Sequence, residues 1–467
     1  MRRTKIIATL GPATESPEKL KELIQAGVNV FRLNMSHANH DWVRSVSRSI
    51  RKVAAELGTN TAILMDTQGP AIRTGDLATK LDLKAGDIVE FTVRGARSEE
   101  HYSVDVNYDG LINDIAEGDT VLVDNGVMHM KVLSKIDNKI RCEVLTPGLL
   151  GSRRHINLPG VKVNLPPLTE KDLADVAVGA EVGVDFVALS FCREAGDIIE
   201  LRRVLKELGS TARVIAKIED QHAVKEIDSI IDASDIIMVA RGDLGIECPM
   251  EELPIIQRRI IKRCMVIGRQ VIVATHMLES MIENPLPTRA EITDIANAVF
   301  EQADAIMLSG ETTVGKYPVE CVKVFDRVAS RIERSGGAGY AADAIITDPR
   351  HKMMKSAVVL ANSFANSKIV VFTRRGIMAD YASHLRPEDS TIFAFTPTEE
   401  VARQLALNWG THAIRMPFDV RPEHTVADAE NLLKQRGLVQ PGDRLIVVSD
   451  VLAGEERFDS IHLREVV

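Results

Sequence analysis

The sequence predicts an α/β protein: a (β/α)8 TIM barrel, a small β-barrel lid domain inserted in it, and a C-terminal α/β domain after it. Two observations predict the barrel. Eight short apolar runs recur between Thr4 and Glu311, and amphipathic segments of helical length separate most of them. Eight β/α units are the number that closes a barrel, whereas an open doubly wound sheet is the common alternative for alternating strands and helices. Eight units favour closure.

The first barrel part is predicted at residues 1–74, with strands in TKIIATLGP, VNVFRLNMSH and TAILMDTQGP. Helices are expected between these strands at Pro17–Ala26 and Asp41–Leu57, where apolar residues recur at three- and four-residue spacing. Ser16 stands directly before Pro17 and supplies the capping residue that opens the first helix.

Residues 75–162 lack the helical period and form the predicted inserted domain. Short alternating segments take its place, namely DIVEFTVRG, DTVLVDNGV, MHMKVLSKI and KIRCEVL, separated by AGD, EGD and IDNK turns. An insertion at the site end of a barrel can act as a lid that excludes water during transfer chemistry. A stability or oligomer appendage is the alternative interpretation.

The second barrel part is predicted at residues 163–335. Its strands lie in VDFVALSF, VIAKIED, IIMVARGDLGIE, VIVATHMLES and AIMLSGET, and two of its helices in Glu170–Val182 and Glu252–Ile267. The last four strands end on residues capable of chemistry: Lys217 and Glu219, Gly242 and Asp243, Thr275, then Ser309 and Glu311. Since parallel strands end at one edge of their sheet, these side chains are expected to converge.

A glycine-rich linker, Ser335–Gly339, separates the barrel from a C-terminal α/β domain predicted at residues 336–467. Strands are expected in KIVVFTRRG, TIFAFTPTE, HAIRMPF and RLIVVSDV, and helices around Ser356–Asn366 and Glu399–Trp409.

Composition excludes several classes of function. A net charge of −9 and an aromatic content of 4% argue against a nucleic-acid partner. The five cysteines are scattered without C-x-x-C spacing, which predicts a reducing cytoplasm and neither a zinc site nor a disulfide framework. No run approaches the roughly 20 apolar residues of a membrane helix, so no membrane partner is expected.

The strand ends indicate an anion site rich in magnesium ligands. Glu219 and Asp243 are hard oxygen ligands suited to Mg²⁺ or Mn²⁺, and Lys217 lies on the same strand face as Glu219. A fixed cation beside a metal pair is the arrangement that phosphoryl transfer uses to offset negative charge. The turn RGDLG offers backbone N–H groups for a carboxylate or phosphate. Further oxygen ligands and cations that suit a hard cation and phosphate come from the second and third strands: Arg32, Asn34, Ser36, Asp66, Thr67 and Arg73.

These residues, with the segments around them, resemble the motifs of a known family. The chain resembles pyruvate kinase over residues 1–335, and more weakly to its end. The resemblance rests on the ordered segments TLGPAT, RLNMSH, DTQGPAIRTG, NLPGVKVNLPPLTEKD, GVDFVALSF, AKIED, MVARGDLGIE, VIVATHMLESM, NPLPTRAE, ANAV and AIMLSGETTVGKYP. It implies transfer of a phosphoryl group from phosphoenolpyruvate to ADP, followed by protonation of the pyruvate enolate, in a homotetramer.

The resemblance also implies roles by position. Glu219 and Asp243 would bind Mg²⁺ or Mn²⁺, and Lys217 with Arg32 would act on the transferring phosphoryl group. The amides of Gly242 and Asp243 with the Thr275 hydroxyl would hold the substrate carboxylate. Thr275, Ser309 and Glu311 would belong to the relay that protonates the enolate. The potassium set would be Asn34, Ser36, Asp66 and Thr67, and the nucleotide side Pro12, Asn34, His37, Arg73 and Lys171.

Three departures from the family pattern limit what carries over. His276 stands where the family usually has Gln, and is interpreted as a tolerated substitution. Ala71 replaces the Glu of potassium-dependent members or the Lys of independent ones, so the potassium requirement is open. The stretches 373–378 and 453–458 stand where many members bind a sugar bisphosphate. The first keeps two arginines but lacks the hydroxyl-rich cradle, and the second carries two carboxylates that would repel a phosphate.

Two other readings compete with a pyruvate kinase. A barrel lyase or aldolase acting on pyruvate-type enolates also needs Mg²⁺, a carboxylate cradle and an acid. It has no use for Lys171 and Arg73 on a nucleotide side. A non-catalytic member of the family is the third reading, and the intact Lys217, Glu219 and Thr275 argue against it.

Overall fold

The chain begins with the first three strands of a barrel. The computed structural model describes residues 1–453 and 456–467. The elements in this part are β1 (Lys5–Thr9), α1 (Pro17–Ala26), β2 (Val30–Asn34), α2 (His40–Leu57) and β3 (Ala62–Asp66). The predicted cap is present, because the Ser16 side chain accepts a hydrogen bond from the backbone N–H of Lys19. Helix α1 is followed by Gly27, whose φ of 116° lies in the left-handed region that favours glycine.

An inserted β domain follows, with a hydrophobic core of its own. Its elements are β4 (Leu81–Leu83), β5 (Ile88–Thr92), β6 (Tyr102–Asp105), α3 (Leu111–Asp114), β7 (Thr120–Val123), β8 (Met128–Ile136), β9 (Lys139–Val144), β10 (Gly148–Leu150) and β11 (Ile156–Asn157). Six strands form a sheet in the order β11-β7-β8-β9-β5-β6, and β10 pairs with β4. An isolated β-bridge between Arg73 and His155 holds the segment that enters the inserted domain beside the segment that leaves it.

The chain then returns to the barrel and completes it. The elements are α4 (Glu170–Val182), β12 (Phe186–Leu189), α5 (Ala195–Glu207), β13 (Arg213–Ile218), α6 (Gln221–Lys225), α7 (Ile227–Ala233), β14 (Ile236–Ala240), α8 (Arg241–Glu247), α9 (Leu253–Ile267), β15 (Gln270–Ala274), α10 (Arg289–Phe300), β16 (Ala305–Leu308), α11 (Gly310–Thr313) and α12 (Pro318–Glu333), with a 3-10 turn at Glu279–Ile282. The predicted eight-stranded closed barrel is confirmed, in the order β1-β16-β15-β14-β13-β12-β3-β2.

The barrel strands are buried on both faces, which explains why their sequences read as continuous apolar runs. Side chains that point inward, among them Ile7, Leu64, Phe186 and Ile272, fill the interior. The barrel is therefore a packed core, and polar groups are found at its two ends.

The C-terminal α/β domain is also confirmed. Its elements are α13 (Pro349–Asn362), β17 (Ser367–Phe372), α14 (Ile377–His384), β18 (Thr391–Thr396), α15 (Glu399–Gln404), β19 (Thr411–Arg415), α16 (Pro422–Gln435), β20 (Arg444–Ala453) and β21 (Glu456–Glu465), with 3-10 turns at Tyr340–Asp343 and Leu405–Leu407. The sheet order is β19-β18-β17-β20-β21, and the β20–β21 pair is antiparallel. The domain boundaries after residues 74, 162 and 335 stay predictions.

The C-terminal domain covers the amino-terminal end of the barrel. Arg403 pairs with Asp185 at 2.8 Å, directly before β12. Lys5, the first residue of β1, donates to the backbone carbonyl of Thr411 at 2.7 Å. In the same seam the Trp409 ring is 3% exposed and contacts two guanidinium groups, those of Arg3 at 5.4 Å and Arg386 at 4.9 Å from the ring centre. The opposite, carboxyl-terminal end remains free for a site.

Within residues 1–453 and 456–467, no helix is long and apolar enough to cross a membrane.

Candidate active site

The carboxyl-terminal ends of the barrel strands and the inserted domain enclose a cleft of about 330 Å³. Several side chains singled out from the sequence line it together: Arg32, Asn34, Ser36, Thr67, Arg73, Lys217, Glu219 and Asp243. Of the residues expected to converge at the last four strand ends, Lys217, Glu219 and Asp243 line this cleft, whereas Gly242, Thr275, Ser309 and Glu311 are not among its lining residues. The inserted domain contributes the opposite wall through Asp124, Asn125, Arg153, Arg154 and His155.

Lys217 occupies the centre of a buried polar network on the cleft floor. Its ammonium group lies 2.8 Å from Glu219 and 3.2 Å from Asp66, and it donates to the Ser190 hydroxyl at 2.7 Å. Arg32 binds the other oxygen of Asp66 at 2.6 Å and donates to the Thr9 hydroxyl at 3.0 Å. Two cations are thus held in place by carboxylates beneath the cleft.

Burial and charge set the protonation states of this network. Burial alone would lower the pKa of Lys217, but the carboxylates of Asp66 and Glu219 outweigh it and raise that pKa. Burial would raise the pKa of Asp66, yet Lys217 and Arg32 together lower it. Burial raises the pKa of Glu219 to about 7; the positive charge of Lys217 opposes this rise, and the negative charge of Asp243 adds to it. Lys217 is therefore a permanent cation, whereas Glu219 titrates near neutrality.

Glu219 and Asp243 fit a divalent cation. Both carboxylates line the cleft, and Glu219 is fixed by the backbone N–H of Phe191, which donates to it at 2.6 Å. Among the residues described, no group of three or more His, Cys, Asp or Glu side chains could hold a metal ion by itself. A carboxylate pair matches Mg²⁺, which keeps several positions for water and substrate oxygens.

Proton competition at Glu219 makes cation binding depend on pH. Because a proton must leave before a cation binds, we expect the apparent dissociation constant for Mn²⁺ to fall as pH rises. The fall should approach roughly tenfold per pH unit between pH 5.5 and 6.5 and level off above the pKa of about 7. Paramagnetic resonance of free Mn²⁺ measures this constant, and a pH-independent value in that window would contradict the prediction.

Thr275 and Gly242 form a small cradle beside the carboxylates. The backbone N–H of Gly242, in the first turn of α8, donates to the Thr275 hydroxyl at 2.7 Å. Thr275 directly follows β15 with a φ of 71°, and His276 follows with a φ of 55°. A β-branched residue rarely adopts this region, and each such residue stores on the order of 1–3 kcal/mol of strain. Strain of this kind marks functional sites, so the pair fits a preformed anion cradle.

Ser309 and Glu311 follow the last barrel strand. One oxygen of the buried Glu311 accepts the backbone N–H of Ser309 at 2.7 Å, and the other accepts the N–H of Leu278 at 2.9 Å. Glu311 therefore ties the segment after β15 to the segment after β16. The Ser309 hydroxyl makes no hydrogen bond among the residues described, although it is buried. A buried hydroxyl without a partner is suited to a substrate atom or a water molecule.

The four proposed potassium ligands lie together, but part of their hydrogen-bonding capacity is used. Asn34 and Asp66 are register partners on β2 and β3, and Thr67 follows. Asp66 is engaged by Arg32 and Lys217, and the Thr67 hydroxyl donates to the backbone carbonyl of Ala188 at 3.1 Å. Ser36 is exposed at the rim. The set fits a monovalent cation through Asn34, Ser36 and the free lone pairs of the other oxygens.

The residues assigned to the nucleotide side are more dispersed. Arg73 lines the cleft and donates to the backbone carbonyl of Arg153 at 3.2 Å, while Pro12 and His37 are exposed outside the lining. The Lys171 ammonium group already donates to the Met35 carbonyl at 2.7 Å and to Asp175 at 2.6 Å. Lys171 is thus tethered at the start of α4 and does not line the cleft.

Sequence reasoning missed Ser190 and Phe191. They follow β12, the strand predicted in VDFVALSF, and Ser190 contacts Lys217 while Phe191 fixes Glu219. The rule that strand ends carry the site would have found Ser190 had it been applied to that strand. The contribution of the inserted domain could not be seen, because its wall comes from turns far away in sequence.

A second cleft of about 290 Å³ lies in the C-terminal domain beside the stretch 373–378. Arg374 and Arg375 line it, and the Arg374 guanidinium lies 5.2 Å from the Phe418 ring centre. Phe372, Met353 and Met378 make much of the remaining wall apolar. Of the other stretch, 453–458, residues Gly454 and Glu455 lie outside the described residues.

Comparison with known proteins identifies relatives of both parts of the chain. A family model described as pyruvate kinase, barrel domain, matches residues 1–322, and one described as pyruvate kinase, alpha/beta domain, matches residues 351–462. Plastidial pyruvate kinase 2 of Arabidopsis thaliana is 43% identical over 99% of this chain and 80% of its own length. A pyruvate kinase of Geobacillus stearothermophilus is 40% identical over 97% of this chain and 78% of its own length.

A solved structure is similar over the whole chain. The crystal structure of a pyruvate kinase from Cryptosporidium parvum superimposes with a TM-score of 0.95 at 34% identity, covering 100% of this chain and 96% of that one.

Proposed function

Because the chain belongs to the pyruvate kinase family, a family of phosphotransferases, we propose that its barrel cleft carries out the family reaction through the residues described above. In that reaction a phosphoryl group passes from phosphoenolpyruvate to ADP, and pyruvate and ATP are formed. The observation that carries the assignment of residues is the network around Lys217. A permanent buried cation beside a carboxylate pair is what stabilises charge on a transferring phosphoryl group.

Lys217 and Arg32 act on the phosphoryl oxygens. Asp66 binds both cations at the cleft floor, so their positive charges are held in place there without needing to reorganise. Fixed donors of this kind stabilise charge that develops in the transition state more effectively than mobile water does. The surrounding lid residues exclude water and so limit hydrolysis.

Gly242 and Thr275 receive the substrate carboxylate. The backbone N–H of Gly242 and the Thr275 hydroxyl are hydrogen-bonded to each other at 2.7 Å, and both would exchange this bond for the oxygens of the carboxylate. Glu219 and Asp243 would hold Mg²⁺ or Mn²⁺, which when bound acts as a Lewis acid toward substrate oxygens. The protein groups orient the substrate so that its phosphoryl group faces the nucleotide side.

Protonation of the enolate is assigned to the region of Thr275 and Ser309. The Ser309 hydroxyl has no partner among the described residues, and Glu311 fixes its backbone. Ser309 can therefore position a proton donor, which Thr275 approaches from the neighbouring strand end. ADP would bind toward Arg73 and the lid wall of Arg153 and Arg154, whose cations suit phosphates.

A monovalent cation site is proposed at Asn34, Ser36, Asp66 and Thr67. Ala71 lines the same cleft and brings neither a carboxylate nor an ammonium group to it. In the absence of a built-in cation, we expect K⁺ to raise the turnover rate in sodium-free buffer. Initial rates at matched ionic strength, with tetramethylammonium in place of K⁺, measure the effect. Equal rates in both buffers would contradict the proposal.

Fructose 1,6-bisphosphate is not expected to activate this enzyme. Arg374 and Arg375 line the second cleft, but the carboxylates of Asp419 and Asp459 line it as well and would repel the phosphates of a bisphosphate. The phosphoenolpyruvate saturation curve, recorded with and without the sugar bisphosphate, is therefore expected to be unchanged. A lower half-saturation concentration would overturn this prediction.

A homotetramer in the cytoplasm is proposed as the working form. All five cysteines are buried free thiols, which agrees with a reducing compartment. Light scattering of the purified protein reports the mass of the assembly directly.

The test of the proposed function is pyruvate formation from phosphoenolpyruvate and ADP with Mg²⁺. Coupled oxidation of NADH by lactate dehydrogenase follows the product. Omission of ADP is the control, because a lyase acting on enolates would not need a nucleotide. Turnover without ADP, or none in folded protein, would refute the proposed mechanism.

A further inference from the structure

Arg241 is a buried cation that the chemistry described so far does not use. It is the first residue of α8, directly before Gly242, and only 8% of it is exposed. Its guanidinium group binds the Asp294 carboxylate with two hydrogen bonds of 2.6 and 2.7 Å. Asp294 belongs to α10, so this bidentate pair joins two helices behind the substrate cleft.

The same guanidinium holds the end of β15. It donates to the backbone carbonyl of Thr275 at 2.7 Å and to that of Ala274 at 3.3 Å. These carbonyls flank the point at which the chain turns into the left-handed region at Thr275. These donors therefore oppose relaxation of Thr275 to an ordinary φ.

Arg241 is itself held from a third side. The Gln257 side chain accepts from it at 3.4 Å, and Gln257 donates in turn to Glu301 at 3.1 Å. A rigid planar fork with five donors can satisfy a carboxylate and two carbonyls at once, which a lysine could not do. One side chain thus fixes both halves of the cradle, since it precedes Gly242 and binds Thr275.

We propose that Arg241, anchored by Asp294, is the positioning residue that keeps Gly242 and Thr275 in the geometry that receives the substrate carboxylate. The inference rests on the proposed function, because it assigns that cradle to phosphoenolpyruvate. Neither Arg241 nor Asp294 lines the catalytic cleft, and the contact of Arg241 with the Thr275 carbonyl is the route by which both act on the cradle. ADP would bind on the lid side and would not contact the cradle of Gly242 and Thr275.

Asp294→Asn is the decisive variant. It keeps the shape of the side chain but removes the charge and one of the two acceptor oxygens, so the guanidinium loses its anchor. We expect the KM for phosphoenolpyruvate to rise at least tenfold, and the inhibition constant of oxalate, a carboxylate ligand of the same cradle, to rise in parallel. The KM for ADP should stay within twofold. Arg241→Lys, which reaches fewer acceptors, should raise the KM for phosphoenolpyruvate by a larger factor and also leave the KM for ADP unchanged.

Asp326→Asn is the matched control. Asp326 also pairs with a buried arginine, Arg2. The exposed fractions of the side chains are 8% for Arg2 and 45% for Asp326, compared with 9% for Arg241 and 34% for Asp294. Asp326 lies on α12 at the opposite end of the barrel. Its replacement should lower the melting temperature about as much as Asp294→Asn does, with both KM values unchanged.

The outcomes separate the inference from the function on which it rests. An inactive wild-type protein would refute the proposed function. An active wild type in which Asp294→Asn lowers only the melting temperature, or raises both KM values equally, would overturn the positioning role alone. If Asp294→Asn does not fold, the KM split in Arg241→Lys decides the question.

Discussion

Replacement of Lys217 by methionine is expected to lower kcat by about a thousandfold or more. Methionine has a similar length but no charge, so it removes the cation that faces the transferring phosphoryl group. Glu219 and Asp66 then lie in the floor of the cleft with one partner fewer. Their uncompensated charge would also repel the anionic substrate. Steady-state pyruvate formation at saturating substrates measures the loss.

Lys5→Met is the control for that variant. Lys5 is the other buried lysine of the barrel strands, at 8% exposure, and lies at the amino-terminal end of β1. Burial lowers its pKa to about 7, and its replacement removes a hydrogen bond to Thr411 in the seam rather than a group of the cleft. Its turnover should match the wild type. A Lys217→Met protein that is folded and retains more than a tenth of wild-type kcat would contradict the assigned role.

Replacement of Glu219 by glutamine is expected to lower kcat/KM by about a hundredfold at millimolar Mg²⁺. Glutamine keeps the hydrogen bond from the N–H of Phe191 but supplies a neutral ligand, so the apparent Mg²⁺ affinity should fall. The pH dependence of Mn²⁺ binding should also flatten between pH 5.5 and 6.5, because the titrating carboxyl group is gone. Mg²⁺ titration of the rate and Mn²⁺ resonance measure the two effects separately.

Asp304→Asn controls for loss of a buried carboxylate. Asp304 is 1% exposed and pairs with Arg386 at 2.8 Å, in the seam at the opposite end of the barrel. Its replacement should lower the melting temperature while the Mg²⁺ requirement stays the same. Should Glu219→Gln respond to Mg²⁺ as the wild type does, Glu219 would not be a ligand.

The barrel could be predicted because its strands carry their own signal. Each is a short apolar run buried on both faces, and each ends on polar residues at the same edge. The C-terminal domain was predicted less completely. The strand β21 was missed because ERFDSIHLRE is largely polar, and it lies at the sheet edge with a single neighbour, β20. The helix expected at Ser356–Asn366 instead starts at Pro349, because Asp348 caps it.

Much of the candidate site could be predicted for the same reason. Lys217, Glu219 and Asp243 come together because barrel closure forces adjacent strand ends to meet. Backbone conformation was beyond the sequence, since nothing in ATHML indicates two successive left-handed residues. The i,i+4 pair of Lys171 with Asp175 can be read from the sequence but was overlooked, whereas the hydrogen bond of Lys171 to the distant Met35 carbonyl could not be.

The seam between the barrel and the C-terminal domain has an optical consequence. The chain has two tryptophans, and Trp409 lies in that seam next to the guanidinium groups of Arg3 and Arg386. Separation of the domains would expose the indole to water and remove both neighbouring charges, which changes its emission wavelength and intensity. With Trp42 replaced by phenylalanine, the protein becomes a single-tryptophan reporter. Its fluorescence then follows domain separation in real time, independently of whether the catalytic end is occupied.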